Sequence, residues 1–323
     1  MAKVFVGDIK EGDRVNAAFL VKGKTRAETR YGKPYLTLQL MDRTGEVTGR
    51  VWERAQELSA RFENGDLIAV KGTAEIYQQE IQLNISDLER CEDEGISWAD
   101  FLPSAPREPE EMLNELRQLF EPVQRPALVK LVHALFADKE IISGFCQVPA
   151  AKRRHHVYLG GLLEHTLSVV KLAARVAEHY PEVDRDLLLV GALLHDLGKI
   201  KELTYARGFD YTDEGRLLGH IILGVELVED KINEIEGFPA ELCLLLKHML
   251  LSHHGLYEYQ SPKKPKTLEA LVLHHIEDMD GKVNWTRQIL TKAKREGKRW
   301  TSFDRLTDRF FYAGAPSEEG DEG

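Results

Sequence analysis

The hydrophobic periodicity of the chain changes once, across a proline-containing segment at residues 91–109. Before this segment apolar and polar residues alternate, as at Leu36, Leu38 and Leu40, which predicts half-buried strands. From Glu110 onward the apolar residues recur every three or four positions, which predicts amphipathic helices. A chain of 323 residues with such a change is expected to form two domains. We therefore predict an all-β domain (1–90), a linker (91–109), an all-α bundle (110–300) and a C-terminal segment (301–323) with a disordered acidic end.

The first 90 residues contain five predicted strands, with one short helix between the third and the fourth. This order is that of an OB-fold, a small barrel that binds single-stranded nucleic acids. Cations and aromatic rings suited to phosphates and bases occur along these strands and turns, namely Arg26, Arg30, Tyr31, Lys33, Tyr35 and Tyr77. For each of them alone, an ordinary solvated strand residue is the simpler interpretation. As a group, they leave nucleic-acid binding and a plain solvated surface equally open.

Composition indicates the cellular location of the protein more clearly than it indicates what the protein binds. The net charge of −10 argues at first against a nucleic-acid binder, but residues 1–90 hold 14 basic and 14 acidic residues, so the deficit lies in the C-terminal part. No apolar run approaches the ~20 residues that span a bilayer, and the N-terminus lacks the apolar region of a signal peptide. Three scattered cysteines form no Cys-x-x-Cys pair. We expect a cytoplasmic protein without membrane association.

A histidine and an aspartate, His195 and Asp196, interrupt a strongly apolar run that the pattern predicts to be one buried helix. Such a pair is costly to bury unless something satisfies it, although a hydrogen-bonded core histidine beside a capping aspartate would explain this pair alone. Four further places set the same residue types in apolar segments: His165, His220, His253 with His254, and Asp278. Five such places are hard to explain as packing. Imidazole and carboxylate suit Mn, Fe, Ni, Zn or Co, so the sequence predicts a metal site.

The order of these residues resembles that of the HD-domain metal-dependent phosphohydrolases. The segments Gly160–Leu167, His195–Lys199 and Ser252–Gly255 look closest to one branch of them. An N-terminal OB-fold followed by an HD domain is the layout of the YhaM-type bacterial 3′–5′ exoribonucleases, and the likeness covers about residues 1–300. The resemblance implies a metal-dependent 3′–5′ exonuclease that hydrolyses single-stranded RNA, and single-stranded DNA as an alternative, to 5′-monophosphates. It leaves open whether the protein forms a homo-oligomer.

The resemblance also implies a set of site residues. One ion would be held by His165, His195, Asp196 and Asp278, and a second by Asp196, His220, His253 and His254. Manganese is the first expectation for this divalent pair, with Fe, Ni, Co, Mg or Zn as alternatives. Asp196 and Lys199 would be the catalytic residues, because Lys199 lies three positions beyond Asp196 and can reach a phosphate over the metal. Substrate contacts are expected from Arg154, His155 and His156 before the first ligand helix, and from Arg30, Tyr31, Lys33 and Tyr35 on the barrel.

Two ligand assignments are open from the sequence. His253 and His254 lie about 100° apart on a helix, so both can bind metal only if they straddle the edge of the cavity or the helix ends there. Asp280 competes with Asp278 for the last ligand position, and the family motif favours Asp278. Glu277 stands where a small residue is expected.

Two other functions are alternatives to the exonuclease. A phosphodiesterase for cyclic or free nucleotides is disfavoured, because the HD-GYP branch carries Gly-Tyr-Pro soon after its histidine pair and this chain has Gly255-Leu256-Tyr257 there. A non-catalytic nucleic-acid-binding adaptor with a degenerate HD domain would have lost ligands, and none is missing from the sequence.

Overall fold

The computed structural model describes residues 4–78, 80–92, 98–102, 105, 107–150, 158–204 and 210–315. Three predicted substrate contacts, Arg154, His155 and His156, lie outside the described residues, as does the acidic end of the chain. In the described part no helix is long and apolar enough to cross a membrane.

The N-terminal part is a closed five-stranded barrel, which confirms the predicted OB-fold. Its elements are β1 (Arg14–Glu28), β2 (Pro34–Asp42), β3 (Gly45–Val51), α1 (Ala55–Ser59), β4 (Leu67–Tyr77) and β5 (Glu80–Arg90). The strands follow the order β1-β2-β3-β5-β4, and the barrel closes through antiparallel pairing of β1 with β4. β3 and β5 pair in parallel, with Thr48 opposite Gln82. The short helix lies between β3 and β4, where the sequence predicts it.

Alternation along the strands determines which side chains fill the barrel. Leu36, Leu38 and Leu40 of β2 are fully buried, while Tyr35 and Thr37 of the same strand point outward. The long strand β1 pairs with both β2 and β4, and a bulge between Val21 and Gly23 bends it. The outward face of β2 and β3 is thereby left for polar and aromatic groups.

The C-terminal part is a helical bundle, which confirms the predicted fold class. The helices are α2 (Pro109–Phe120), α3 (Pro126–Ala137), α4 (Lys139–Gln147), α5 (Gly161–His179), α6 (Arg185–Leu194), α7 (Lys199–Glu202), α8 (Asp213–Asn233), α9 (Ala240–Ser252) and α10 (Leu268–Arg295). A minimal hairpin, β6 (Leu203–Thr204) with β7 (Asp210–Tyr211), separates α7 from α8. It is the one pair of strands in the described part of this bundle, and the helical pattern gives no sign of it.

Helix α6 is the central element of the bundle. Every residue from Leu187 to Leu194 is buried, because α5, α9, α10 and α3 pack around it. Its C-terminal end, the N-terminal end of α5 and the C-terminal end of α9 come together. The buried candidate ligands are therefore carried by helix ends.

The segment between the two domains packs against the barrel where it is described. Leu102 is buried with Leu20 and Leu67. The backbone N–H of Arg43 donates to the carbonyl oxygen of Asp100 at 3.0 Å. These contacts attach the connecting chain to the rim of the barrel.

Candidate metal centre

Asp196 lies in a turn at the end of α6, and not within a continuous helix as the sequence predicts. The helix ends at Leu194, and His195 follows as its C-cap. The N–H of Lys199 donates to the carbonyl oxygen of Asp196 at 3.0 Å, which closes the turn before α7. Both His195 and Asp196 are almost fully buried. The turn aims two adjacent polar side chains into the same interior space.

One oxygen of the Asp196 carboxylate faces two histidines. Its Oδ2 lies 3.5 Å from Nε2 of His165 and 3.4 Å from Nε2 of His195. The two Nε2 atoms are 3.3 Å apart. Atoms bound to one ion at about 2.0–2.2 Å lie roughly 3–3.5 Å from each other, so this group has the spacing of a ligand set.

The other oxygen of the same carboxylate faces a second group of histidines. Asp196 Oδ1 lies 3.6 Å from Nε2 of His220 and 3.7 Å from Nε2 of His253. His254 completes the group, with its ring centroid 5.2 Å from that of His220. Helix α9 ends at Ser252, with His253 as its C-cap, and the rings of His253 and His254 both reach the centre. Asp196 thus lies between two groups of histidines, one of two residues and one of three.

All five histidines present the same nitrogen to the centre, because each Nδ1 is bonded to an acceptor outside it. The acceptors are Asp280 Oδ2 for His165 (2.8 Å), the Ala192 carbonyl for His195 (2.8 Å), Glu202 Oε1 for His220 (3.1 Å), the Leu250 carbonyl for His253 (2.7 Å) and the Tyr259 carbonyl for His254 (2.8 Å). Carbonyl and carboxylate oxygens only accept, so Nδ1 carries the proton in each neutral ring. This is the usual arrangement of a metal-binding histidine, whose Nε2 lone pair is then free to bind the ion.

Unsatisfied buried atoms also indicate a ligand. Among the described residues, Asp196 Oδ1, His220 Nε2 and His253 Nε2 are buried without a hydrogen-bond partner. Orphaned buried polar atoms are costly, and three that converge on one point have a common explanation. The donor set of imidazoles and carboxylate fits a divalent transition metal.

The electrostatics of the centre favour the metal-binding states of Asp196, His253 and His254. Burial would raise the pKa of Asp196, but Lys199 and His195 outweigh it and hold that pKa well below its ordinary value. Burial lowers the pKa of His253 well below the usual range, and it lowers that of His254 to about 4, with His220 contributing. An ionised carboxylate and neutral imidazoles are the forms that bind metal.

The predicted last ligand, Asp278, does not join either group of donors. Its carboxylate, one-third exposed, accepts from Lys282 Nζ at 2.6 Å. The neighbouring Glu277 interacts instead with the centre: burial, and next the Asp196 charge, raise its pKa to about 7. Asp280, the other competitor, bonds to His165 Nδ1 and to the hydroxyl of Ser168. On helix α10 it is therefore Glu277 that we consider for the remaining ligand position.

Lys199 lies beside the predicted bridging carboxylate. Its ammonium is 2.6 Å from Asp196 Oδ2, and only 12% of the side chain is exposed. Gly198 has a packing role that the sequence does not reveal: a Cβ there would lie 1.9 Å from the carbonyl oxygen of His220. The glycine lets the backbones of α7 and α8 touch, which brings His220 to the centre. Gly219, with φ +74° and non-helical ψ, breaks α8 just before that histidine.

The barrel presents the predicted nucleic-acid contacts at two places. Arg30, Tyr31 and Lys33 lie in the β1–β2 turn, where Tyr31 is 98% exposed. Tyr35 lies on the outer face of β2, 4.9 Å from the ring of Trp52, and the Arg50 guanidinium sits 5.3 Å above it. The sequence analysis did not select Arg50 or Trp52 as contacts, although the alternation Val47, Gly49, Val51 places both on this outer face. Arg26 is tied to Ser59 Oγ by a 2.8 Å hydrogen bond.

Comparison with known proteins resolves the family. The chain matches the family model of the HD domain over residues 162–296 and that of an OB-fold nucleic acid binding domain over residues 19–90. It is 34% identical over 302 residues to the 3′-5′ exoribonuclease YhaM of Bacillus subtilis (strain 168), covering 93% of this chain and 95% of that protein. It is 35% identical over 306 residues to the protein of that name from Listeria monocytogenes serotype 4b, covering 94% and 96%. This chain belongs to the YhaM family.

Membership in the YhaM family confirms the resemblance that the sequence indicates, the order of the two domains and the class of hydrolytic enzyme. It leaves the individual ligand positions as predictions. On α10, Asp278 pairs with Lys282, whereas burial and the Asp196 charge raise the pKa of Glu277, so the last ligand position stays a prediction.

Two carboxylates orient histidines of the centre, a role that the sequence analysis does not predict for either of them. Glu202 accepts the backbone N–H of His220 at 3.0 Å as well as its Nδ1, and Asp280 bonds to His165 from a helix 115 residues away along the chain. Glu202 is an acidic residue almost entirely buried between two short elements. No spacing rule links either carboxylate to its histidine, because the pairs form only when separate helices pack together.

Proposed function

We propose that the protein is a metal-dependent 3′–5′ exoribonuclease that hydrolyses single-stranded RNA to 5′-monophosphates. The observation that carries the proposal is the Asp196 carboxylate, whose two oxygens face two separate groups of histidines. The curated relatives that share the full layout bear this activity in their names. Single-stranded DNA is an alternative substrate.

We propose two divalent ions, manganese first, with Fe, Ni, Co, Mg or Zn as alternatives. His165, His195, Asp196 and Glu277 would hold one, and Asp196, His220, His253 and His254 the other. Ions in such a pair lower the pKa of water and neutralise charge on phosphate oxygens. The orphaned atoms Asp196 Oδ1, His220 Nε2 and His253 Nε2 support this assignment.

The chain's own groups have distinct tasks in the reaction. Asp196 stays ionised because Lys199 and His195 lower its pKa, so it can bridge two cations. The Lys199 ammonium beside Asp196 is within reach of the scissile phosphate and stabilises charge that develops on its oxygens. Glu202 and Asp280 orient His220 and His165 by accepting their Nδ1 protons.

We propose that the barrel guides the single strand toward this centre. Arg30 and Lys33 in the β1–β2 turn would bind phosphates, and the rings of Tyr31 and Tyr35 would stack on bases. Arg154, His155 and His156 remain predicted contacts on the sequence alone. We also propose a cytoplasmic location, which the three free cysteines support. Whether the protein forms a homo-oligomer stays open.

The direct test is digestion of a 5′-labelled oligoribonucleotide by the purified full chain with Mn²⁺. A ladder that shortens from the 3′ end, and that EDTA and Asp196→Ala abolish, is the expected result. Asp230→Ala removes an exposed aspartate of α8 and serves as the matched control, with unchanged activity expected. An intact oligonucleotide, or labelled mononucleotide as the first product, would overturn the proposal. Cleavage of cyclic dinucleotides with intact RNA would favour the phosphodiesterase instead.

A further inference from the structure

Beyond the last ligand helix the chain folds back into a small hairpin, residues 298–313, which we call the C-terminal hairpin. Trp300 pairs with Tyr312 and Asp304 with Arg309 as antiparallel bridges. The N–H of Thr301 donates to the carbonyl oxygen of Phe311, and that of Ala313 to the carbonyl oxygen of Arg299, both at 3.0 Å. The matched HD-domain region ends at residue 296, before this hairpin begins.

The hairpin is fixed to helix α10. The indole N–H of Trp285 donates to Asp304 Oδ2 at 3.0 Å, and both the N–H and the hydroxyl of Thr307 donate to Asp304 Oδ1 at 2.8 Å. Within the hairpin, Thr301 and Ala313 are buried. A rigid backbone therefore determines where its outward side chains point.

Four of the hairpin's exposed side chains are aromatic. Trp300, Phe303, Phe310 and Tyr312 are each about half exposed, between 47% and 57%. They form two pairs, with ring centroids 5.1 Å apart for Trp300 and Tyr312 and 5.2 Å apart for Phe303 and Phe310. Exposed apolar patches of this kind mark binding surfaces.

The same region is basic within an acidic chain. Residues 292–309 contain seven Lys or Arg and three Asp or Glu, whereas the whole chain carries −10. The Arg299 guanidinium lies 5.6 Å from the centre of the Tyr312 ring. Among the described residues, Lys294, Arg295 and Arg305 form no ion pair, so their charges are available to a ligand.

We propose that the C-terminal hairpin is a second binding platform for single-stranded nucleic acid, which holds the part of the strand that lies 5′ to the scissile end. Rings that stack on bases beside cations that meet phosphates are the shared features of single-strand binders. The proposal rests on the proposed function in one respect, that the strand is the substrate. The occupant is the strand, because its anionic backbone complements the unpaired cations.

The position of the hairpin suits this role. Its anchor Trp285 lies eight residues beyond Glu277 on α10, which is about 12 Å along the helix axis. A strand whose 3′ end occupies the centre would pass the hairpin within a few nucleotides. If two copies of the chain packed this patch against each other about a two-fold axis, the cations of one copy would face those of the other. Such a contact between like charges is unfavourable.

The test measures binding of a fluorescent 20-nucleotide RNA to the full chain by anisotropy, with EDTA present so that nothing is cleaved. Trp300→Ala and Tyr312→Ala should each weaken binding roughly 5–100-fold, the effect of losing one stacked base. Trp300→Phe should restore most of the affinity, because it keeps a ring. Tyr180→Ala removes a half-exposed ring at the far end of α5 and should change nothing. If the alanine variants melt early, Arg305→Glu tests the same surface by charge and should also weaken binding.

Equal affinity of the wild type and the hairpin variants, Arg305→Glu included, would overturn the proposal. So would a change in molar mass by light scattering with unchanged affinity, since it would assign the patch to a second copy of the chain. Failure of the proposed function appears separately, as an absence of RNA digestion by the wild type with Mn²⁺. The two failures are therefore distinguishable.

Discussion

A single carboxylate links the two groups of donors, so the chemistry of the centre depends on one residue more than on any other. Each Asp196 oxygen lies 3.4–3.7 Å from two Nε2 atoms. The residues around it act mainly on its charge and on the tautomers of the histidines.

Glu202 should determine how well His220 binds metal. Glu202→Gln replaces the charged acceptor of His220 Nδ1 by a neutral one, and loss of such a partner commonly weakens metal binding 10–100-fold. Isothermal titration with Mn²⁺ checks it. Glu214→Gln, on the exposed start of α8, is the matched control, and equal weakening by both variants would show that Glu202 has no specific role.

Glu277 and Asp278 give a matched pair. The pKa of Glu277, raised to about 7, means that the folded metal-free protein keeps a proton that the unfolded chain loses above its ordinary value near 4.5. Ionisation of Glu277 therefore destabilises the folded protein. This effect is absent below about pH 4.5, grows between pH 4.5 and about pH 7, and is complete above that. Glu277→Gln should therefore stabilise the metal-free protein at pH 8, by up to about 3 kcal/mol, while it weakens Mn²⁺ binding.

Asp278→Asn should do neither, because Asp278 forms only a surface ion pair with Lys282. Urea unfolding of the metal-free protein and metal titration of both variants separate the two residues. Metal lost in Asp278→Asn and kept in Glu277→Gln would restore Asp278 as the ligand.

At the scale of elements, close approach of α7 and α8 brings the second histidine group to Asp196. Gly198→Ala would place a Cβ 1.9 Å from the His220 carbonyl oxygen and 2.4 Å from the Gly224 nitrogen, and backbone atoms on both sides leave it no room. We expect a loss of stability of about 1–3 kcal/mol and weaker metal binding, measured by urea unfolding and titration. Gly23→Ala, whose Cβ would meet only Gln39 at 3.7 Å, should cost far less. Equal effects would contradict this role of Gly198.

The elements themselves were largely predictable from periodicity. The apolar pattern predicts helices at about 162–179, 240–251 and 267–295, and α5, α9 and α10 begin and end within one residue of these bounds. The apolar pattern predicts that helix α6 continues through Asp196, whereas the helix ends at Leu194. The break comes from tertiary packing: the chain must turn for Gly198 to meet α8. Contacts between separate elements, such as Glu202 with His220, have no local signal at all.

At the scale of the molecule, binding of the strand by the barrel and its hydrolysis by the bundle should be distinguishable in kinetic measurements. Trp52→Ala removes the ring that packs on Tyr35, on the outer face of the barrel. We expect a several-fold higher KM for a 20-nucleotide RNA and unchanged hydrolysis of bis(p-nitrophenyl) phosphate, which is too small to reach the barrel. Equal loss on both substrates would show that the variant harms the whole protein, and no loss on either would remove the barrel face from the binding path.

The central claim is that Asp196 joins two metal ions, and native mass spectrometry of the Mn²⁺-loaded chain tests it most directly. The wild type should carry two ions, and Asp196→Ala, still folded by circular dichroism, should carry none or one weakly held ion because both groups lose their shared oxygen donor. Two ions retained in Asp196→Ala, or no ion in the wild type, would contradict the claim.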